Sequence, residues 1–396
     1  MLNASRPWRR RLPSLRWNKE GKESLSLCTS QTSFRRLSSS VQAPLTIGIL
    51  RESYNKWERR APLCPDHVKQ FLQKHPSNQV LVQPSSNRIF SNQEYQQAGA
   101  TLVEDIGQAD LVLGVKRPQS LDTLTPHKTY MFFSHVVKGQ PENMPLLQNV
   151  LDKQIELVDY ECIVQGGMDV TDSCKERKRK RLVTFGKYAG MAGMMDVFQV
   201  LGRRLLLKSS WSTPFLNCPS AISHYNLQEV KRSVGMLGER LEADGLPPDL
   251  EPLIFAMTGM GGNVHSGVRE IFDILPHETV SVEDLPQVLQ QSGPQHTVYG
   301  VDLGVADLYQ RTDDVNGQPF DREHFRENPT MYSSTFAHKV APYTHVLVNG
   351  IYWDYTFPRM LTKDNMRALY EQGNERYDVE VNGMLVQVIL CRVPPS

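Results

Sequence analysis

The stretch 253-LIFAMTGMGGNVHSGVREIFDIL-275 decides the fold. Leu253–Met257 is an apolar run of strand length, a glycine-rich turn follows, and the residues through Ile271 to Leu275 continue with helical periodicity. Thr279–Val282 then reads as a second strand. Strand, glycine turn, helix and strand in this order are the setting in which a backbone cradles phosphates. Glycines let the chain approach closely, and the helix N-terminus favours negative charge. The turn 258-TGMGGNVHSG-267 departs from G-x-G-x-x-G, because Gly259 and Gly261 hold the first two positions but Val264 holds the third. Gly259 is expected to make the sharp bend, and Gly261 or Gly262 to admit a pyrophosphate. Glu283 and Asp284 follow the second strand, where an acid would hydrogen-bond a ribose hydroxyl and so favour NAD. The plainer alternatives are a structural turn and two surface acids.

Working outward, strands and helices alternate on both sides. Upstream lie strands at Ile47–Leu50, Gln79–Gln83, 111-LVLGVK-116, 130-YMFFSH-135 and Ile155–Tyr160. Helices fall at His67–His75, Asn92–Gly99 and Pro141–Gln154, the last with Leu146, Leu147, Val150 and Leu151 on one face. Ala189–Leu207 is long, apolar and rich in small residues (Gly190, Ala192, Gly193) that favour close backbone packing; it leads from a first domain into a second. Asn226–Ala243 is a further helix. Downstream come strands at Thr297–Val301 and His345–Val348, a helix Lys363–Gln372 between an N-cap at Thr362 and a stop at Gly373, and a last strand Met384–Cys391. Such alternation predicts an α/β protein of parallel sheets covered by helices, and 396 residues suffice for two domains.

The first 44 residues stand apart. They hold nine lysines and arginines against Glu20 and Glu23, with abundant serine, which is the composition of a mitochondrial transit peptide. The remainder is acidic, so nothing in its charge calls for nucleic acid or an anionic membrane. No apolar run approaches the ~20 residues of a transmembrane helix. The basic run 175-KERKRKR-181 reads as a solvated loop. Six scattered cysteines form no C-x-x-C pair and no zinc-ligand spacing, so no metal is expected.

Two strands of the first half end on ionisable groups, Lys116 and His135. Carboxyl ends of strands form the ligand crevice in open α/β sheets, and an amine and an imidazole there suit proton transfer. Each alone would be an ordinary solvated or hydrogen-bonded side chain; their joint placement suggests chemistry. Arg60, in 58-ERRAPLCP-65, offers a fork for a carboxylate. Glu161, after the strand 155–160, is placed to orient an ammonium group.

Together 58-ERRAPLCP-65, 111-LVLGVKRP-118, 131-MFFSH-135, 157-LVDYE-161, 185-FGKYAGMAG-193, 258-TGMGGNV-264 and 341-APYTHVLVNGIYW-353 carry a resemblance. They resemble the lysine-ketoglutarate reductase half of mitochondrial α-aminoadipic semialdehyde synthase and, more distantly, saccharopine and alanine dehydrogenases. The resemblance implies two Rossmann-like domains, with the nucleotide-binding domain inserted into the N-terminal substrate domain. Its boundaries are expected at 45–188 for the substrate domain, 189–353 for the dinucleotide-binding domain and 354–396 for a return to the first domain.

The implied reaction is reductive condensation of L-lysine with 2-oxoglutarate to saccharopine, in the mitochondrial matrix, with NADPH and with NAD as the alternative cofactor. By resemblance Lys116 and His135 move protons. Arg60 holds a substrate carboxylate, Glu58 and Glu161 the lysine amine, and Arg181 and Phe185 line the cleft. Gly259, Gly261, Gly262, Asn263 and Val264 would carry the pyrophosphate; Asn349 and Tyr352 would face the nicotinamide. A homo-oligomer is compatible with this reading. Three departures are visible: Gly262 is an extra residue in T-G-x-G-N-V, the run 175–181 reads as an insertion, and the saccharopine dehydrogenase half is absent. The chain ends at 391-CRVPPS-396 where the family continues into an Asp- and Gly-rich segment. A truncated, catalytically impaired paralogue that binds nucleotide or a full-length partner is therefore the alternative expectation.

Overall fold

A computed structural model describes residues 43–165, 181–291, 295–313, 319–353, 355–371 and 387–390. Outside these lie nearly all of the stretch 1–44 that the composition marks as an expected transit peptide, most of the basic run 175–181, the helix stop at Gly373 and the end 391-CRVPPS-396.

The first sheet has six parallel strands: β1 (Thr46–Ile49), β2 (Gln79–Val82), β3 (Thr101–Leu102), β4 (Leu111–Lys116), β5 (Thr129–Phe133) and β6 (Glu156–Asp159). Their order is β3-β2-β1-β4-β5-β6, so the winding reverses between β1 and β4. Burial on both faces explains the unbroken apolar runs. Val68 of α1 (Pro65–Lys74) and Tyr95 of α2 (Asn92–Gln97) pack with Ile49 and Val82 on one face. Leu146 and Val150 of α3 (Met144–Asp152) pack with Val112, Tyr130 and Phe132 on the other. Local chemistry sets the ends: proline opens α1, and Ser91 with Glu94 forms a capping box on α2.

α4 (Gly186–Ser209) then runs into the second half. Together with α5 (Leu227–Asp244) and α6 (Asn263–Phe272) it covers one face of a second sheet through Met194, Phe198, Leu237 and Phe272. The small residues act as expected. A Cβ on Gly190 would overlap the Val264 carbonyl, and one on Gly267 the Lys187 carbonyl, so α4 and α6 touch backbone to backbone. The sheet contains β7 (Ile254–Thr258), β8 (His277–Thr279) and β9 (Val298–Leu303). A short antiparallel pair, β10 (Tyr309–Arg311) with β11 (Tyr332–Ser334), stands beside it. β12 (Val346–Asn349) and β13 (Gln387–Leu390) complete the order β13-β12-β7-β9-β8. All pairs in this sheet are parallel except β12 with β13. Its other face is covered through α7 (Leu285–Leu289), α8 (Val305–Leu308), α9 (Arg322–Glu327), α10 (Phe336–Lys339) and α11 (Lys363–Glu371), by way of Leu285, Leu308, Phe325, Phe336 and Leu369.

Several expectations are corrected. β5 ends at Phe133, and His135 lies two residues beyond it with a left-handed backbone, φ +59°. The span 141–154 divides into a 3-10 turn and α3, and Leu151 is exposed rather than on the buried face. The expected return of 354–396 to the first domain is not seen among the described residues. β13 hydrogen-bonds β12 and Leu369 packs in the second core, because the open edge of β12 and the apolar face beside it lie there. Thr362 caps α11 as expected, trading hydrogen bonds with Asn365.

Candidate active site

The loop after β1 and the carboxyl ends of β4, β5 and β6 converge at the point where the first sheet reverses its winding, the usual place for a ligand crevice in such sheets. Glu58 and Arg60, both on this loop, form a forked pair, with Nε to Oε1 at 2.7 Å and Nη2 to Oε2 at 2.7 Å. Burial acts to raise the Glu58 carboxyl, but the hydrogen bonds and charge of Arg60 outweigh it and hold Glu58 below the usual carboxylate range. The same bonds strengthen the guanidinium's hold on its proton. Lys116 ends β4, its ammonium 4.8 Å from the centre of the Tyr54 ring, and it is close enough to add to the field on Glu58.

Glu52 anchors this group. It is buried and left-handed, φ +55°, and its carboxylate accepts the N–H of Val115 at 2.5 Å and of Lys116 at 3.1 Å. Burial pushes its pKa up to about 7 despite those two hydrogen bonds.

Glu161 is buried against three basic side chains: His135 Nδ1 at 2.8 Å, Lys138 Nζ at 3.1 Å and Arg181 Nη1 at 3.0 Å. Burial would raise Glu161, but the hydrogen bonds from His135 and Lys138 prevail and lower it. The left-handed turn at residue 135 brings the imidazole onto this carboxylate. Asp159 fixes the turn that carries Glu161 by accepting the Glu161 N–H at 2.8 Å and the Ser134 hydroxyl. Phe133, the register partner of Lys116, joins the two groups. Its ring stacks on His135 with centroids 6.2 Å apart, and on Phe185 at 5.4 Å; Arg60 lies 5.0 Å over that same Phe185 ring. Seven sequence candidates (Lys116, His135, Arg60, Glu58, Glu161, Arg181 and Phe185) are thus linked, directly or through Phe133, at this edge of the sheet.

The crevice adjoins the glycine turn. Phe185 precedes Gly186, whose Cα faces Asn263 so closely that an added Cβ would lie 3.3 Å from the asparagine Cβ. In the turn Gly259 and Gly261 have φ of +86° and +83°, values that explain the glycines. The N–H of Gly259 donates to Leu303 and that of Gly262 to the Gly259 carbonyl, so those amides are occupied. Gly262 caps α6, and the N–H groups of Asn263, Val264 and His265 have no partner within that helix. Over the turn opens a cavity of about 660 Å³, bordered by Gly259–Gly262, by Gly304–Asp307 after β9 and by Gly350–Trp353 after β12.

Tyr352 borders this cavity and is exposed, whereas Asn349 accepts the Thr258 hydroxyl at 2.8 Å and ties β12 to β7. The side chains of Asn263 and Val264 pack on Gly186, and that of Val264 also on Gly350. Glu283 and Asp284 are corrected: β9 intervenes between β8 and β7, roughly 10 Å of sheet, and both acids are exposed away from the cavity. Among the described residues no group of histidine, cysteine and acidic side chains could hold a metal, and no helix is long and apolar enough to cross a membrane.

Two sheets of mainly parallel strands covered by helices, the second with a glycine turn after its strand β7, define an α/β protein of the Rossmann-like class. Residues 48–176 match the family described as alanine dehydrogenase/PNT, N-terminal domain. The chain is homologous to α-aminoadipic semialdehyde synthases. It is 38% identical over 352 residues to the mitochondrial protein of that name from Bos taurus, covering 88% of this chain and 36% of the relative. It is 37% identical over 341 residues to the Arabidopsis thaliana protein, 83% and 30% respectively. Saccharopine dehydrogenase [NAD(+), L-lysine-forming] of Neurospora crassa is 25% identical over 273 residues, 67% of this chain and 66% of that one. The chain thus spans about a third of the length of the synthases it matches. A solved L-alanine dehydrogenase aligns over 65% of this chain and 61% of its own at 16% identity with a TM-score of 0.38.

Sequence reasoning missed Glu52, Tyr54, Lys138 and Tyr160 in the crevice, and Asp307, Arg322 and Arg326 around the cavity. Glu52 follows a strand end in the way Glu161 does, which was a usable signal. Arg322 and Arg326 sit in 322-REHFRE-327, which reads as any solvated helix.

Proposed function

We propose that this chain catalyses the NADPH-dependent reductive condensation of L-lysine with 2-oxoglutarate to saccharopine, in mitochondria. The observation that carries the reading is the single crevice holding Lys116, His135 and Arg60 beside the glycine turn. The turn fits a dinucleotide: two left-handed glycines, open space over Gly261, unpartnered helix amides and a cavity of about 660 Å³. Gly261 and the amides of Asn263–His265 would hold the pyrophosphate, and Tyr352 would border the nicotinamide. When bound, the nucleotide supplies a hydride to the substrate carbon.

The chain's own groups manage charge and protons. Condensation requires the lysine ε-amine to be neutral, the carbinolamine to lose water, and a proton to move at each step. Lys116 Nζ and the His135 imidazole, both beside Phe133, are the transferring groups. Glu161 holds His135 in place through Nδ1, which leaves Nε2 for the substrate. Arg60 receives a 2-oxoglutarate carboxylate at the edge of its fork with Glu58. Glu58 and Glu161 supply the negative charge that attracts the lysine amino end, and Phe185 and Arg181 shape the cleft.

The test is NADPH oxidation by the purified chain. Oxidation only when lysine and 2-oxoglutarate are both present supports the proposal. Nucleotide binding with no turnover would favour instead a binding relative that pairs with a full-length partner, and turnover of pyruvate with ammonia would favour an alanine dehydrogenase-type activity.

A further inference from the structure

We infer that Arg322 and Arg326 select a 2′-phosphorylated nucleotide in the cavity over β7 and β9. The inference rests on the nucleotide reading above and extends it to the cofactor's chemical class. When a pyrophosphate lies on the glycine turn after β7, the adenosine half lies over the neighbouring strand on the side away from the nicotinamide. Here that strand is β9, since β12 on the other side of β7 leads to Tyr352. The rule for NAD is a carboxylate at the end of this strand, bonded to the ribose 2′-hydroxyl. β9 instead ends in Leu303–Gly304. Its nearby acids are engaged: Asp302 with His265 at 2.7 Å, and Asp307 through Oδ2 with the Gly304 N–H at 2.7 Å.

Facing this strand end is α9. Its Phe325 is buried and stacks on Tyr309 just after α8, with centroids 5.0 Å apart, which fixes the helix on the β9 side. Arg322 and Arg326, four apart and therefore on one helical face, both border the cavity. Both are exposed, and no ion pair with an acid involves either among the described residues. Two uncommitted guanidiniums in place of a free carboxylate are suited to a phosphate dianion, which an arginine fork binds in two parallel hydrogen bonds.

The experiment measures NADPH and NADH dissociation constants by titration of the full chain and of Arg322→Ala, Arg326→Ala and the double variant. Expected is NADPH binding tighter than NADH in the parent, a loss of about 10–100-fold for NADPH per arginine, and NADH binding unchanged. Arg→Lys variants should keep part of the preference, since lysine retains charge without the fork. Equal losses for both nucleotides, or no loss for either, would overturn the inference while leaving a nucleotide site in place. A parent that binds neither nucleotide would overturn the site itself and this inference with it. Melting temperatures equal to the parent's show that the exposed substitutions leave the fold intact.

Discussion

Replacing Glu52 by glutamine should change how the protein's stability responds to pH, and the size of the change follows from the burial of one carboxyl. Glu52 is 8% exposed, and its pKa is lifted from 4.5 to about 7, first by burial. A group whose folded-state pKa is raised binds its proton more tightly in the native protein. Its contribution is therefore fully present below about pH 4.5 and is lost as pH rises through about 7. At 1.36 kcal/mol for each tenfold change in proton affinity, the loss is about 3 kcal/mol. Glutamine keeps the side chain's size and one acceptor oxygen, enough for the Val115 or the Lys116 amide but not both, and it does not titrate. Any constant cost of the substitution cancels when two pH values are compared. Urea unfolding of both proteins from pH 4.5 to pH 8 should show the Glu52→Gln variant gaining about 3 kcal/mol on the parent across that range. A difference that stays constant with pH, or that moves the other way, would refute the argument that Glu52 is a desolvated, proton-holding carboxyl.

Other outcomes are expected at the crevice and at the helix contact. Lys116→Met and His135→Gln should each lower turnover by roughly 10²–10⁴-fold, the scale of a general acid or base, in an assay following NADPH; unchanged rates would remove them from the mechanism. Arg60→Ala should raise KM for 2-oxoglutarate and also release Glu58, so an unaltered KM would contradict its carboxylate role. Gly190→Ala or Gly267→Ala forces a methyl group onto a carbonyl of the facing helix, and should cost at least the ~1–3 kcal/mol typical of overpacking, seen as a lower melting temperature. An unchanged melting temperature would show that α4 and α6 can separate at no cost.

Much of the site was legible because strand ends are legible. LVLGVK and MFFSH read as buried strands, and the rule that ligands gather at carboxyl ends placed Lys116 and His135 together before any coordinates. Glu161 followed from the same logic, and Arg60 from the carboxylate-binding fork of its guanidinium. What failed were inferences about which elements are neighbours. Glu283 and Asp284 follow a strand in the expected order, but β9 pairs between β8 and β7, and pairing order is a tertiary matter. The expected return of the chain to the first domain is not seen among the described residues for the same reason, since β12 offered an open edge to β13.

The sequence by itself determined the α/β class, the positions of nearly all the long elements, the small-residue face of α4 and the strand-end candidates, because periodicity, glycine and caps act within a few residues of themselves. Only the tertiary structure decided that Arg60 is already forked to Glu58, that one buried Glu161 gathers His135, Lys138 and Arg181, and that Arg322 and Arg326 border the cavity. Those relations depend on distances between segments far apart in the chain, and no local pattern encodes them.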